Sequence, residues 1–407
     1  MSGGVPLGAG VRVSPGVPLG ACAGYVPPAY PFDRLGELYE LAGALPGGAV
    51  DLSVGTPCDP PPPAVVAALA GSGTERGYPT SAGSAELREA ASDWMQRRLG
   101  VAVDPSAVAA CVGTKEFVAG LPAFLHLRSP ERDTVLCPAV AYPTYAMGAA
   151  LAGLRAVEVA PDAGGRLDLS SIEPEDASRA LCLWVNTPGN PAGQIEDLAA
   201  VAEWGRSHGV PVFSDECYVE LTWQGPRQTI LRHGHEGLVA VHSLSKRSNM
   251  AGLRVGFYAG DADLVGYLAS LRRHAGFMVP GPVQHAAAVA LGDDDHVEAQ
   301  RGLYCERLAY LAGALEAAGF PAKGPEGGFY LFVAAPELAV SPVGANGEEE
   351  SPSFSFARLL ALKAGAIVSP GDAYGPRAAA FVRIAAVQPL ERLRVAGDRL
   401  AKARLGP

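Results

Sequence analysis

The chain reads as an α/β protein: a large domain built on a mainly parallel sheet flanked by helices, joined to a smaller α+β domain. Three observations predict this. Between about Val135 and Gly260, short apolar runs alternate with helical segments, the pattern of strands connected by helical crossovers. After about residue 290 the pattern changes to one long polar–apolar helix followed by three short apolar runs. At 407 residues, with 48% hydrophobic and 18% charged side chains, the chain exceeds one average domain and can build a sizeable core.

In chain order, residues 1–30 are rich in Gly, Pro and Val and carry GVPLGA twice, at Gly4 and Gly16. One repeat of six residues is too short for a repeat architecture, so a flexible arm is expected. Helical periodicity begins with FDRLGELYELAGAL, and ELREAASDWMQRRLG predicts an amphipathic helix that stops at Gly100. A helix is expected from Glu116. The strand candidates follow as TVLCPAV, AVEVA, ALCLWVN, VPVFSDE, LVAVHS and VGFYAG. A long helix around QRGLYCERLAYLAGALEAAG and the runs GFYLFVA, GAIVSPG and FVRIAAV then suggest the smaller domain. The expected organisation is an arm over 1–30, a small domain from 31–60 and 290–407, and a large domain over 61–289. The acidic stretch GANGEEESPS reads as a solvated insertion.

Composition narrows the function. Acidic residues outnumber basic ones by 42 to 32, the formal charge is −10 and no Lys/Arg block occurs, which argues against a nucleic-acid surface. The seven cysteines (Cys22, Cys58, Cys111, Cys137, Cys182, Cys217, Cys305) show neither CxxC nor zinc-site spacing, so reduced thiols in a cytosol are expected. The start lacks the pattern of a secretory signal, and no apolar run is long enough to span a bilayer. A cytoplasmic protein without a membrane partner is the expectation. HGHEG at 233–237 holds two histidines without a third ligand and reads as a solvent loop, so no metal is expected.

Chemistry collects just beyond the expected strand ends, where open α/β sheets bind ligands. Tyr142 follows one run, Asn190 another, Asp215 and Tyr218 a third, and Ser243, Ser245 and Lys246 a fourth, while VGTKEF opens a helix. Singly these have plain readings, such as a helix cap for Asp215 or a turn for NTPGNPAG. Together they supply what an aldehyde cofactor with a phosphate and a ring nitrogen requires. A desolvated Lys246 amine forms an imine with an aldehyde and, once released, moves a proton at the substrate carbon. A buried Asp215 carboxylate keeps a pyridine nitrogen protonated, so that the ring accepts electrons. Gly113, Thr114, Lys115, Ser243, Ser245 and Arg254 are candidates for the phosphate. Asn190 and Tyr218 suit a ring hydroxyl, and Tyr142 suits the ring face. Tyr145, His242, Arg247 and Asn249 are supporting candidates, His242 being read as a hydrogen-bonded histidine at a strand end.

NTPGNPAG, SDECY and SLSKRSNMAGLRVGF, in this order, resemble the cofactor motifs of class I/II aminotransferases, the pyridoxal 5'-phosphate enzymes of fold type I. From about Tyr30 onward, DLSVGTPCDPPP, GYPTSAGSAELREA, AYPTYAMGA and HAGFMVPGPVQ most resemble actinobacterial-type N-succinyldiaminopimelate aminotransferases. The resemblance implies a homodimer with shared active sites, in which Tyr78 reaches the neighbouring subunit's phosphate. It places Gly55 beside the substrate carboxylate and makes Arg383 its clamp, a task suited to a guanidinium fork. The implied reaction moves an amino group between an amino acid, such as N-succinyl-LL-2,6-diaminopimelate or a relative, and a keto acid such as 2-oxoglutarate. The arm, GGFYLFVA and RIAAVQPLERL depart from that group and bear on substrate, leaving room for a paralogue of specialised metabolism. A lyase or synthase using the same carbanion for γ-elimination, substitution or C–C bond formation is the alternative. A DNA-binding regulator is disfavoured by the short, poorly charged arm.

Overall fold

The computed structural model describes residues 26–28, 30–336 and 350–403. Most of the expected arm and residues 344–349 of the acidic stretch lie outside the described residues.

Seven strands form the main sheet: β1 (Val108–Cys111), β2 (Thr134–Pro138), β3 (Arg155–Val159), β4 (Ala180–Asn186), β5 (Val212–Asp215), β6 (Leu238–Ser243) and β7 (Gly256–Gly260). Their order is β1-β7-β6-β5-β4-β2-β3. The ladders joining β3, β2, β4, β5 and β6 are parallel, and β7 runs antiparallel to both β6 and β1. Six strands coincide with the apolar runs of the sequence. The seventh, β1, has the sequence VAAC, whose small residues carry little strand propensity; pairing with β7, with all four residues buried, makes it a strand.

Alternate residues of each strand feed opposite faces, as a period of two demands. On one face Leu136, Leu183, Val185, Val212 and Ala240 pack with α1 (Ala85–Trp94). On the other, Val135, Trp184, Phe213 and Val239 pack with α2 (Thr114–Arg128) and α3 (Thr144–Leu151). Helix α1 opens on a Ser84 cap that accepts from the Leu87 amide, and its continuation closes at Gly100, whose φ of 67° requires the left-handed region. Helix α2 begins at Thr114, two residues before the expected Glu116, so Thr114 and Lys115 belong to its first turn.

Past β6 comes the single turn α4 (Leu244–Arg247), and later α5 (Gly281–Gly292), α6 (Asp295–Ala317), α7 (Pro352–Ala364) and α8 (Leu390–Ala403). A second sheet is antiparallel in the order β9-β10-β8, from β8 (Tyr330–Ala334), β9 (Ser369–Pro370) and β10 (Phe381–Ala385). GAIVSPG, which reads as one run, is divided: Ala366–Ile367 pairs with Val50–Asp51, and β9 pairs with β10. Leu38, Leu311, Leu331, Leu360, Ile384 and Leu393 share a separate apolar cluster. The acidic stretch ends in structure rather than solvent, because Ser351 caps α7 by accepting from the Phe354 amide. Ala290 and Leu291 pack with the main sheet, so we propose the boundary between large and small domains after Gly292 rather than at 289/290.

Candidate active site

The ends of β4, β5 and β6 border a cavity of about 540 Å³. All the residues singled out above for catalysis, cofactor or substrate line it, except Gly113 and Tyr78. The antiparallel course of β7 contributes: this strand begins at the edge where its neighbours end, which carries Arg254 to the same place.

Lys246 sits on α4, whose cap is the Ser243 hydroxyl, an acceptor for the Ser245 amide at 3.1 Å. Its amine donates to the Gly55 carbonyl. Burial pushes the amine down to about 8, and the charges of Arg383 and Arg254 act in the same direction. Asp215, at the end of β5, is buried. Its Oδ2 accepts from the Tyr145 hydroxyl at 2.8 Å, and its Oδ1 accepts from the Cys217 amide at 3.2 Å and thiol at 2.6 Å. Burial raises its pKa, against the pull of the Cys217 and Tyr145 bonds.

At the phosphate end, Gly113 precedes α2 with φ of 75°, and a Cβ there would run into the Arg254 guanidinium. Arg254 is itself left-handed, at φ 53°, a costly conformation for a residue with a side chain. It donates to the Ala251 carbonyl at 3.0 Å and has no carboxylate partner among the described residues. The Thr114 hydroxyl lies 3.4 Å from the Cys217 sulfur. Lys115 turns elsewhere: its amine is 3.3 Å from the Tyr30 hydroxyl, and it faces the rings of Tyr30 and Tyr142 at 4.9 and 5.5 Å.

Arg383 is buried on β10. It donates to Asn190 Oδ1 at 2.9 Å, to the Ser53 carbonyl and to Ser369 Oγ at 3.3 Å, while its Nε lacks a partner. Asn190 is held by Asn186, whose Oδ1 accepts the Asn190 amide at 2.8 Å. The hydroxyls of Tyr218 and Tyr330 are 2.9 Å apart. Tyr78 is 98% exposed and does not reach the cavity of its own chain.

Three contributors went unmarked as site residues in the sequence: Asn186, Cys217 and Tyr330. All three stand inside quoted stretches, Tyr330 in GGFYLFVA, but the contact of Tyr330 with Arg383 becomes visible only once strand register is known. Among the supporting candidates, Tyr145 lines the cavity, whereas Arg247 bonds the Ala290 carbonyl and Asn249 bonds Gln300. His242 departs from expectation. It is packed between Trp94 and Phe257, neither ring nitrogen has a hydrogen bond, and Glu216 Oε2 stands 3.5 Å from Nε2. No cluster of three metal-ligating side chains occurs among the described residues.

These residues fit pyridoxal phosphate. Asp215 is a buried carboxyl served only by neutral donors, lacking the cation that a protonated ring nitrogen would provide. Arg254 is a cation lacking an anion, beside a helix N-terminus and the Ser245 hydroxyl.

The family model for aminotransferase class I and II matches residues 48–400. A probable aminotransferase of Mycobacterium tuberculosis is 43% identical, covering 92% of this chain and 85% of the relative. A 4-dedimethylamino-4-oxo-anhydrotetracycline transaminase of Streptomyces rimosus is 41% identical, covering 92% and 99%. The solved probable N-succinyldiaminopimelate aminotransferase of Thermus thermophilus superposes with a TM-score of 0.81 at 30% identity, covering 91% and 99%. The chain belongs to the class I and II aminotransferases, enzymes of α/β fold type I that use pyridoxal phosphate to exchange amino groups between amino acids and keto acids.

Proposed function

We propose that the amino donor carries a second acidic group distant from its α-carbon, as in N-succinyl-LL-2,6-diaminopimelate and its relatives, and that the acceptor is a keto acid such as 2-oxoglutarate. One observation carries this reading: beside Arg254 at the phosphate end, two further cations with separate surroundings, Arg383 and Lys115, line the same cavity as Lys246. Arg383 is the fork for the α-carboxylate, which every donor and acceptor has. Lys115 has no carboxylate partner among the described residues and stands between two tyrosines at the cavity, suited to a distal carboxylate. The name of the Thermus thermophilus neighbour agrees, whereas the Streptomyces rimosus relative names a polycyclic ketone, a substrate of specialised metabolism.

Pyridoxal phosphate, when bound, supplies an aldehyde and a ring that takes up the electrons released at the substrate α-carbon. Lys246 then acts as base and acid for the α-proton, helped by the burial that lowers its amine to about 8. Asp215 holds the proton on the ring nitrogen, with Tyr145 and Cys217 fixing the carboxyl. Gly113, Thr114, Ser243, Ser245 and Arg254 take the phosphate. Tyr218 and Asn190 address the ring hydroxyl, and Tyr142 covers the ring face. The exposed Tyr78 is assigned to the phosphate of a second copy in a homodimer, and the enzyme to the cytoplasm.

The test is a panel of amino donors with and without a distal carboxylate, followed by the visible absorbance of the cofactor, with Lys246→Ala as the inactive control. Preference for the acidic donors, lost in Lys115→Met, supports the reading. Equal use of both classes by the wild type overturns it. In the same experiment, recovery of the aldehyde form with loss of a side-chain group, in place of the amine form of the cofactor, would point to elimination or substitution.

A further inference from the structure

In the small sheet Arg383 is paired with Phe332 and Ala385 with Tyr330. Tyr330 and Arg383 are therefore diagonal neighbours on one face, and the guanidinium carbon lies 4.2 Å from the Tyr330 ring centroid. The same tyrosine is buried, lines the cavity and meets the Tyr218 hydroxyl across the two domains at 2.9 Å. It also touches the segment facing Lys246, because a Cβ added to Gly55 would collide with the Tyr330 hydroxyl, and the Gly55 carbonyl accepts from Lys246.

A purely apolar role does not account for this hydroxyl. Phe329 and Phe332 beside it show that phenylalanine serves in this strand region, and burying a hydroxyl is costly unless it is bonded. Two hydroxyls that face each other share one hydrogen. The other hydrogen has no acceptor among the described residues, so the pair has one donor left for a ligand in the cavity. If Tyr218 donates to the cofactor's ring oxygen, its own oxygen must accept from Tyr330. Aligned donors of this kind polarise and strengthen one another.

We infer that Tyr330 is a positioning residue for transamination: its hydroxyl donates to Tyr218 and aims that phenol at the ring oxygen, while its ring face holds the Arg383 fork for the substrate carboxylate. The inference rests on the roles proposed above for Tyr218 and Arg383.

Two variants separate the two functions. Tyr330→Phe keeps the ring and removes the donor. It should lower kcat about tenfold, leave KM for donor and keto acid unchanged, and raise the pH midpoint of the bound cofactor's absorbance change, because the ring oxygen becomes more basic. Tyr330→Leu removes the ring as well and should raise KM for both substrates about tenfold. An unshifted absorbance midpoint in Tyr330→Phe overturns the inference, and so does an unchanged KM in folded Tyr330→Leu. If the leucine variant does not fold, the phenylalanine variant still decides on the absorbance midpoint. Failure of the underlying reading looks different: wild-type protein would not transaminate, or Arg383→Lys would leave KM unaltered, whatever residue occupies position 330.

Discussion

Replacing Arg383 by lysine keeps a positive charge and removes the fork. The guanidinium makes directed bonds to Asn190 at 2.9 Å, to the Ser53 carbonyl and to Ser369 at 3.3 Å, and it is stacked 4.2 Å from Tyr330 and 5.0 Å from Tyr374. An ammonium is a point charge that cannot present two parallel donors to a carboxylate while holding those partners. One charge-assisted hydrogen bond to the substrate is worth about 2 kcal/mol, whereas the aromatic stacking exists before the substrate arrives and orients the fork. The loss of about 2 kcal/mol corresponds to about thirtyfold in affinity. Because the carboxylate is bound in ground state and transition state alike, the loss should appear mainly in KM, for both amino donor and keto acid. Steady-state kinetics with each substrate varied, together with titration of a non-reacting dicarboxylate followed by cofactor absorbance, measures it. If KM stayed within about twofold of wild type while kcat collapsed, Arg383 would not be the carboxylate clamp and the reasoning would be refuted.

Other consequences follow from the same geometry. With its pKa lowered to about 8 in the folded apoprotein, Lys246 should capture pyridoxal phosphate at a rate that rises with pH with its inflection near 8 and levels off above it; an inflection near 10.5 would show an unperturbed amine. Burial raises Glu216 to about 8 from the ordinary 4.5, so its contribution to stability is complete below 4.5 and is lost as pH rises through 8. His242, pushed down to about 3 from 6.5, is nearly all neutral in both states from about one unit above 6.5, so chemical denaturation between about pH 7.5 and 8.5 isolates Glu216 within this pair. Glu216→Gln should flatten the decline of stability across that window, and an unchanged slope would refute it. Gly113→Ala combines a strained φ of 75° with collision against Arg254, and should release pyridoxal phosphate at least about tenfold faster in dialysis.

Much of this enzyme is written locally in its sequence. Five of the main strands are runs such as ALCLWVN, whose seven residues are all buried, and burial of both sheet faces leaves a continuous apolar signature; the edge strand β3 buries only Val159. Lys246, Asp215 and Asn190 are legible because each stands within a few residues of such a run, where backbone geometry places it at the strand's end. Gly100 and Ser84 mark helix limits for equally local reasons, a left-handed φ and a side-chain cap.

Tertiary structure decided what depends on partners remote in the chain. VAAC is a strand because β7 pairs with it, not because of its own propensity. Lys115, grouped by sequence with the phosphate residues, turns to Tyr30 and Tyr142 because α2 starts at Thr114 and carries its side chain there. His242 was expected to be hydrogen-bonded, yet its place is set by the rings of Trp94 and Phe257 closing on it. Tyr330 shows the division most plainly. Its importance comes from standing diagonally to a residue 53 positions away and opposite a hydroxyl from the other domain, relations that β-register and domain packing create and that no local pattern of side chains can encode.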